Sequence, residues 1–137
     1  DIYVRHASLN GVQIHGESVL KAIDEFPVLC IAAAAARGVT TITGARELRV
    51  KESDRISSMA QELRKLGVET EELEDGVIIQ GREKLSSAVV NSNGDHRVAM
   101  ALLVAGLLAE GETTIEDTDC INTSFPGFFT MLQGLGR

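Results

Sequence analysis

The chain has 137 residues, 44% of them hydrophobic, enough for one domain with its own core. A formal charge of −7 and 4% aromatic content exclude a phosphate-backbone grip or a base-stacking platform, so nucleic acid is not an expected partner and any anion site must be local. The longest apolar stretches, Phe26 to Ala36 and Val98 to Ala109, fall short of the roughly 18–20 residues of a membrane span, which predicts a soluble protein without a membrane partner.

Ile2-Tyr-Val-Arg5 reads as a strand, and with no initiating Met and no charged-then-apolar leader the sequence is expected to be a piece of a longer protein. Leu9 to Ile14 predicts a strand. A helix starting at Val19 or Asp24 runs to Ala36 and ends at Arg37-Gly38. Its Cys30, like Cys120 in a later loop, has neither metal-ligand nor disulfide spacing, which predicts a reduced, cytoplasmic setting. Val39 to Thr43 is β-branched and predicts a strand.

The run Glu47-Leu-Arg-Val-Lys-Glu-Ser-Asp-Arg55 then brings six charged side chains together. Behind it, Ile56, Met59, Ala60, Leu63 and Leu66 mark one face of a helix from Ser53 to Leu66, with Gly67 as terminator. Val68 to Glu72 and Val77 to Gln80 flank Glu74-Asp75-Gly76, a hairpin signal that completes a β-α-β-α-β-β unit. The order restarts with a strand at Ala88 to Asn91, a helix at Asp95 to Ala109, a strand at Thr113 to Glu116 and a helix at Phe125 to Leu135, closed by Gly134-Leu-Gly136. Arg37-Gly-Val-Thr-Thr-Ile-Thr43 is echoed by Glu110-Gly-Glu-Thr-Thr-Ile-Glu116, so a repeat of about seventy residues is expected, with units near 9–81 and 87–137 and the second incomplete.

A helix N-terminus presents unpaired N–H groups and a positive dipole end, and Arg49, Lys51 and Arg55 add charge-assisted donors to it. Glu52 is three residues before Arg55, on the same face, where a carboxylate could serve a bound anion as proton donor. If the units are related by rotation with parallel helices, N-termini near Asp24, Ser53, Asp95 and Ser124 converge on one end. Plainer readings compete. The charge run could be a solvated surface with internal ion pairs; Asp24 could be an N-cap; Arg97 could pair with Asp95, itself an N-cap. Asp54 reads as a cap or a partner of Arg55, His96 as a donor to nearby backbone, and His6 and His15 have no role.

Arg49-Val-Lys-Glu-Ser-Asp-Arg55 resembles the R-V-K-E-S/T-D-R signature of the 5-enolpyruvylshikimate-3-phosphate synthases, enolpyruvyl transferases of the shikimate pathway. Ile23-Asp-Glu-Phe-Pro27, Asp95-His-Arg97 and Thr123-Ser-Phe-Pro-Gly-Phe-Phe129 resemble further segments of that family in the same order. The resemblance implies a mixed α/β (α+β) fold, an alpha-beta prism of βαβαββ units with helices inside and sheets outside. It also implies that the chain is most of the second of two domains, so that the absent first domain is a partner. The implied activity transfers the enolpyruvyl group of phosphoenolpyruvate to the 5-hydroxyl of shikimate-3-phosphate and releases phosphate, without metal or organic cofactor. In that frame Asp24 contacts the 5-hydroxyl and takes its proton, and Lys51 contacts shikimate-3-phosphate. Glu52 is acid and base at the methylene carbon, and Arg55 and Arg97 hold phosphoenolpyruvate.

One position departs from the family pattern. Thr123 stands where many members carry a phosphate-binding lysine, which resembles the class II branch, often tolerant of glyphosate. A hydroxyl donates one hydrogen bond and brings no charge, so another cation would have to compensate. Two alternatives stand beside this reading: the transferase that uses UDP-N-acetylglucosamine as acceptor, and a non-catalytic anion-binding domain.

Overall fold

A computed structural model describes residues 1–135. Strands β1 (Gln13–Ile14), β2 (Val39–Ile42), β3 (Glu69–Leu73) and β4 (Gly76–Gln80) form one sheet in the order β1-β2-β4-β3. β1 is parallel to β2, and the other pairs are antiparallel. The β3–β4 pair closes at Leu73 opposite Gly76, leaving Glu74-Asp75 as a two-residue turn. On the face carrying Glu69, Glu71 and Gln80 these side chains meet solvent, whereas Val77 and Ile79 point into the core.

The predicted strand from Leu9 is shorter than expected. Asn10 makes an isolated bridge to Arg37, and the regular ladder resumes only at Gln13, because Gly38, at φ 86°, kinks the partner strand between the two pairings. Ile2-Tyr-Val-Arg5 forms no strand; its side chains are exposed and no strand lies against them among the described residues.

The single helix expected up to Ala36 is three pieces: α1 (Glu17–Lys21), a 3-10 turn (Ile23–Glu25) and α2 (Phe26–Ala34). Pro27 is the reason. It has no N–H to donate to a preceding turn, so it is accommodated only in the first turn of a new helix. α2 is apolar all round and lies between helices α3 (Arg55–Lys65) and α4 (His96–Gly106) and strand β4. Cys30, midway along it, is fully buried, and burial pushes its thiol up.

α3 buries Ile56, Met59, Ala60 and Leu63, the face its spacing predicts, each large side chain contributing about 1.5–3 kcal/mol. It begins two residues later than expected because Asp54 is extended and its carboxylate accepts from the Ser57 amide at 3.0 Å, which makes it the N-cap. Gly67, at φ 80°, follows its last turn.

In the second half, β6 (Val89–Asn91) is parallel to β8 (Thr114–Glu116), connected through α4 as β1 and β2 are connected through α2. Two short strands were not expected, β5 (Leu85–Ser86) and β7 (Ala109–Glu110), which pair in parallel. This pairing draws Ala109 out of the helix, so α4 ends at Gly106. The last helix, α5 (Phe128–Leu135), begins three residues late after a 3-10 turn (Asp119–Thr123). Phe125 precedes Pro126 and is disfavoured in helical conformation, and Gly127 sits at φ 83°. Gly136 of the expected terminator lies outside the described residues.

Helices α2, α3 and α4 thus pack on one another, with the sheets laid against their outer sides. No helix among the described residues is long and apolar enough to cross a membrane.

Close approach of strands leaves some positions no room for a side chain. A Cβ on Gly76 would lie 1.8 Å from the Ile42 carbonyl oxygen on the neighbouring strand. Gly76→Ala in the full-length protein is therefore expected to lower stability by at least about 1–3 kcal/mol, as overpacking does, read as the shift in the denaturation midpoint; an unchanged midpoint would mean that β4 does not pair with β2 as described.

Candidate active site

The Asp54 cap starts α3 at Arg55 and sends that side chain inward. Arg55 is 1% exposed, and its guanidinium is met by three carboxylates from three other places in the chain. Its Nε donates to Asp95 Oδ2 at 2.8 Å, Nη1 to Asp24 Oδ1 at 3.1 Å and Nη2 to Glu52 Oε2 at 2.6 Å. Asp95 is fully buried, whereas the side chains of Asp24 and Glu52 are 46% and 50% exposed, so the terminal nitrogens of Arg55 are turned toward its two solvent-facing partners. Burial alone would lower the guanidinium, but the hydrogen bond and charge of Asp95, with the charge of Glu52 and the bond to Asp24, hold its pKa up.

Asp95 is the N-cap of α4, with Oδ1 accepting from the amides of Arg97 at 2.9 Å and Val98 at 3.3 Å. Its other oxygen takes Arg55 Nε and the Ser53 hydroxyl at 3.1 Å. Burial would push this carboxyl up; the hydrogen bond and charge of Arg55, with the two amides, outweigh it and hold the group below the usual carboxylate range. The N-termini of α3 and α4 and the turn leading into α2 are therefore joined through one guanidinium.

Asp24 does not cap α2; it lies in the 3-10 turn, Glu25 occupies the cap position, and no side chain caps there. Arg97 does not pair with Asp95 through its side chain. Its Nη1 donates to the Asp24 carbonyl at 3.0 Å, and Asp24 and Glu25 carboxylate oxygens lie 3.8 Å from its guanidinium. Asp24, Arg97 and Phe128, the first residue of α5, line a common cleft of about 270 Å³.

The charged run divides between site and scaffold. Arg49, expected to face the anion, is held by Asp54 at 2.8 Å, Glu72 at 2.6 Å and the carbonyls of Leu73 and Glu74, which tie the start of α3 to the hairpin. Lys51 stands outside the Arg55 cluster and pairs with Glu47 at 3.0 Å. Thr123 Oγ1 donates to the Cys120 carbonyl at 2.7 Å, so its hydroxyl proton is engaged. His6 and His15 are exposed, and His96 is half-buried. Among the described residues no group of three His, Cys, Asp or Glu is placed to hold a metal ion.

Chemically this is an arginine with a rigid inner side and two displaceable carboxylates on its outer side, beside a second arginine. It can take a carboxylate or phosphate in place of Glu52 or Asp24, and doing so leaves those two groups free to move protons.

Comparison with known proteins agrees along nearly the whole chain. The family model described as EPSP synthase (3-phosphoshikimate 1-carboxyvinyltransferase) matches residues 1–132. The chain is 56% identical over 133 residues to the 3-phosphoshikimate 1-carboxyvinyltransferase of Geobacter metallireducens and 54% identical over 133 residues to that of Pelobacter propionicus; each match covers 97% of this chain and 31% of the relative. A solved EPSP synthase from Acinetobacter baumannii superposes with a TM-score of 0.88 at 43% identity, covering 93% of this chain and 30% of that one. The chain spans about a third of the length of the curated relatives it matches. Sequence and architecture point the same way, and the chain belongs to the EPSP synthase family.

Proposed function

We propose that this chain is most of the second domain of a two-domain EPSP synthase, which transfers the enolpyruvyl group of phosphoenolpyruvate to the 5-hydroxyl of shikimate-3-phosphate and releases phosphate. The observation that carries the reading is the convergence of Asp24, Glu52 and Asp95 on Arg55, at the end of the molecule where α3 and α4 begin. Residues 9–81 and 87–137 would be two units of the domain. The parallel pairs β1–β2 and β6–β8, each connected through a helix, support that division.

In this mechanism the carboxylate of phosphoenolpyruvate is held by Arg55 and Arg97, whose planar forks each suit a two-bond grip. Its arrival takes Arg55 from Glu52 and Asp24. Glu52, released from Arg55 and protonated, delivers its proton to the methylene carbon while the hydroxyl oxygen attacks the adjacent carbon and gives its proton to Asp24. Glu52 then reclaims a proton from the resulting methyl group as the bond to phosphate breaks, and Asp24 passes its proton to the departing phosphate. Lys51, exchanging Glu47 for the acceptor, holds shikimate-3-phosphate. The first domain closes over the cleft, excludes water and supplies the cation that Thr123 lacks. A cytoplasmic location fits free thiols at Cys30 and Cys120. The acceptor is shikimate-3-phosphate rather than a nucleotide sugar because the Arg49-to-Arg55 run and the names of the relatives agree on it. Phosphate release by the full-length protein with each acceptor tests this, and turnover with the nucleotide sugar alone would reverse it.

Three outcomes follow from the roles assigned. The isolated 137-residue chain should release no phosphate from the two substrates, since it supplies one wall of the cleft; turnover near that of the full-length protein would refute the two-domain reading. In the full-length protein Arg97→Ala should weaken phosphoenolpyruvate binding by about 2–4 kcal/mol and shikimate-3-phosphate binding far less, measured by calorimetric titration with each ligand; equal losses would make Arg97 structural. Glu52→Gln should lower single-turnover chemistry by about 10²- to 10⁴-fold with affinities within roughly tenfold. Its unfolding should shift by no more than about 1 kcal/mol, because the carboxylate replaced is half exposed and the buried Arg55 keeps Asp95 and Asp24 as partners. Normal turnover would return Glu52 to a plain surface charge.

A further inference from the structure

We propose that Asp95 is a positioning residue of the reaction: it presents Arg55 to the substrate anion and, through the same carboxylate, fixes the backbone from which Arg97 reaches the site. The inference rests on the reading of Arg55 as a phosphoenolpyruvate-holding group. A helix N-cap alone would explain only half of what Asp95 does. Capping occupies Oδ1, through the amides of Arg97 and Val98. Oδ2 is left over, and it faces Arg55 Nε at 2.8 Å and the Ser53 hydroxyl at 3.1 Å.

Those four contacts immobilise the carboxylate, which has no exposed surface on which to turn. Holding a guanidinium by Nε fixes the plane of the fork and leaves the two terminal nitrogens to work outward, toward Asp24 and Glu52. An arginine held only by those two exposed carboxylates would lose its orientation whenever a ligand displaced them. Asp95 is the partner that need not let go. The ligand therefore meets an arginine already aimed, and the ordering of a long flexible side chain is not charged against binding. Reach into the site is coupled in the same way for Arg97, whose amide lies 2.9 Å from Oδ1 while its side chain extends to the Asp24 carbonyl.

The test separates cap from positioning in the full-length protein. Asp95→Asn keeps a good N-cap acceptor but turns an N–H₂ donor or an uncharged oxygen toward Arg55, and Asp95→Ser keeps a cap acceptor and withdraws from Arg55 altogether. Both variants should raise the Kd for phosphoenolpyruvate, measured with shikimate-3-phosphate present, by on the order of tenfold or more, as loss of aim does in preorganised sites. The Kd for shikimate-3-phosphate alone should stay within roughly twofold, and in an Arg55→Ala background Asp95→Asn should add less than about twofold, the signature of two residues acting as one unit. Full additivity of the two substitutions, or equal losses for both ligands, would overturn the proposal and leave Asp95 a cap. If Arg55→Ala by itself left phosphoenolpyruvate affinity unchanged, the assignment of Arg55 would fall, and this inference with it; a clear loss in Arg55→Ala with none in the Asp95 variants would sink the inference alone. Should the Asp95 variants not fold, the unmodified protein decides through hydrogen exchange of the Arg55 Nε–H, identified by its loss in Arg55→Lys. Slow exchange with and without phosphoenolpyruvate supports a permanent Asp95 partner, and exchange at the rate of a solvent-exposed guanidinium in either state overturns it.

Discussion

A guanidinium taken out of water must find its acceptors where it lies, and Arg55 finds them on three separate parts of the chain. An unpaired charge at 1% exposure would destabilise the fold by several kcal/mol, so the buried contact of Arg55 with Asp95 is not free to vary, whereas the half-exposed Asp24 and Glu52 can give way to another anion. Replacing the whole cluster by apolar groups of the same volume could leave stability unchanged or raise it. What the cluster secures is geometry: it specifies how α3 meets α4 and how the turn before α2 meets both. The inner partner is buried and the outer two are half exposed, and it is this asymmetry on which the proposed anion-holding role of Arg55 rests.

The neighbouring arginine shows how a single charge run serves two ends. Arg49 is six residues before Arg55, but its fork closes on the hairpin, bonding two carboxylates and two carbonyls. That contact fixes Asp54, and Asp54 caps the helix whose first residue is Arg55. The site therefore depends on a chain of local decisions: hairpin to Arg49, Arg49 to the cap, cap to the direction of the buried guanidinium. Gly76 belongs to the same chain, because only a residue without a Cβ lets the turn come this close to Ile42.

Much of this was legible in the residues. The 3.6-residue spacing from Ile56 to Leu63 marks α3 because one face of it is buried and nothing overrides the pattern. The βαβαββ order was legible for the same reason, since β-branched runs and turn glycines separate its parts. The split of α1 from α2 was announced by Pro27, but the apolar run through it hid the break. Strands β5 and β7 were not legible, because two residues carry no periodicity and each exists only through a partner more than twenty positions away. Of the site, Glu52 beside Arg55 could be read from a three-residue spacing. The Asp95 contact could not, as it joins residues forty positions apart, and the only local trace of Asp95 is a cap signal shared with many helices. Arg49 was misdirected for a related reason: sequence shows its charge but not that Glu72 and two hairpin carbonyls engage its guanidinium.

Cys30 adds a practical consequence. Its thiol is enclosed by the helices that carry the site and held by burial in its protonated form, while alkylating and oxidising reagents act on thiolates that they can reach. In the closed core it is chemically silent. Modification of Cys30 thus becomes a clock for transient separation of α2 from its neighbours, timed by the protein's own atoms and needing no introduced label.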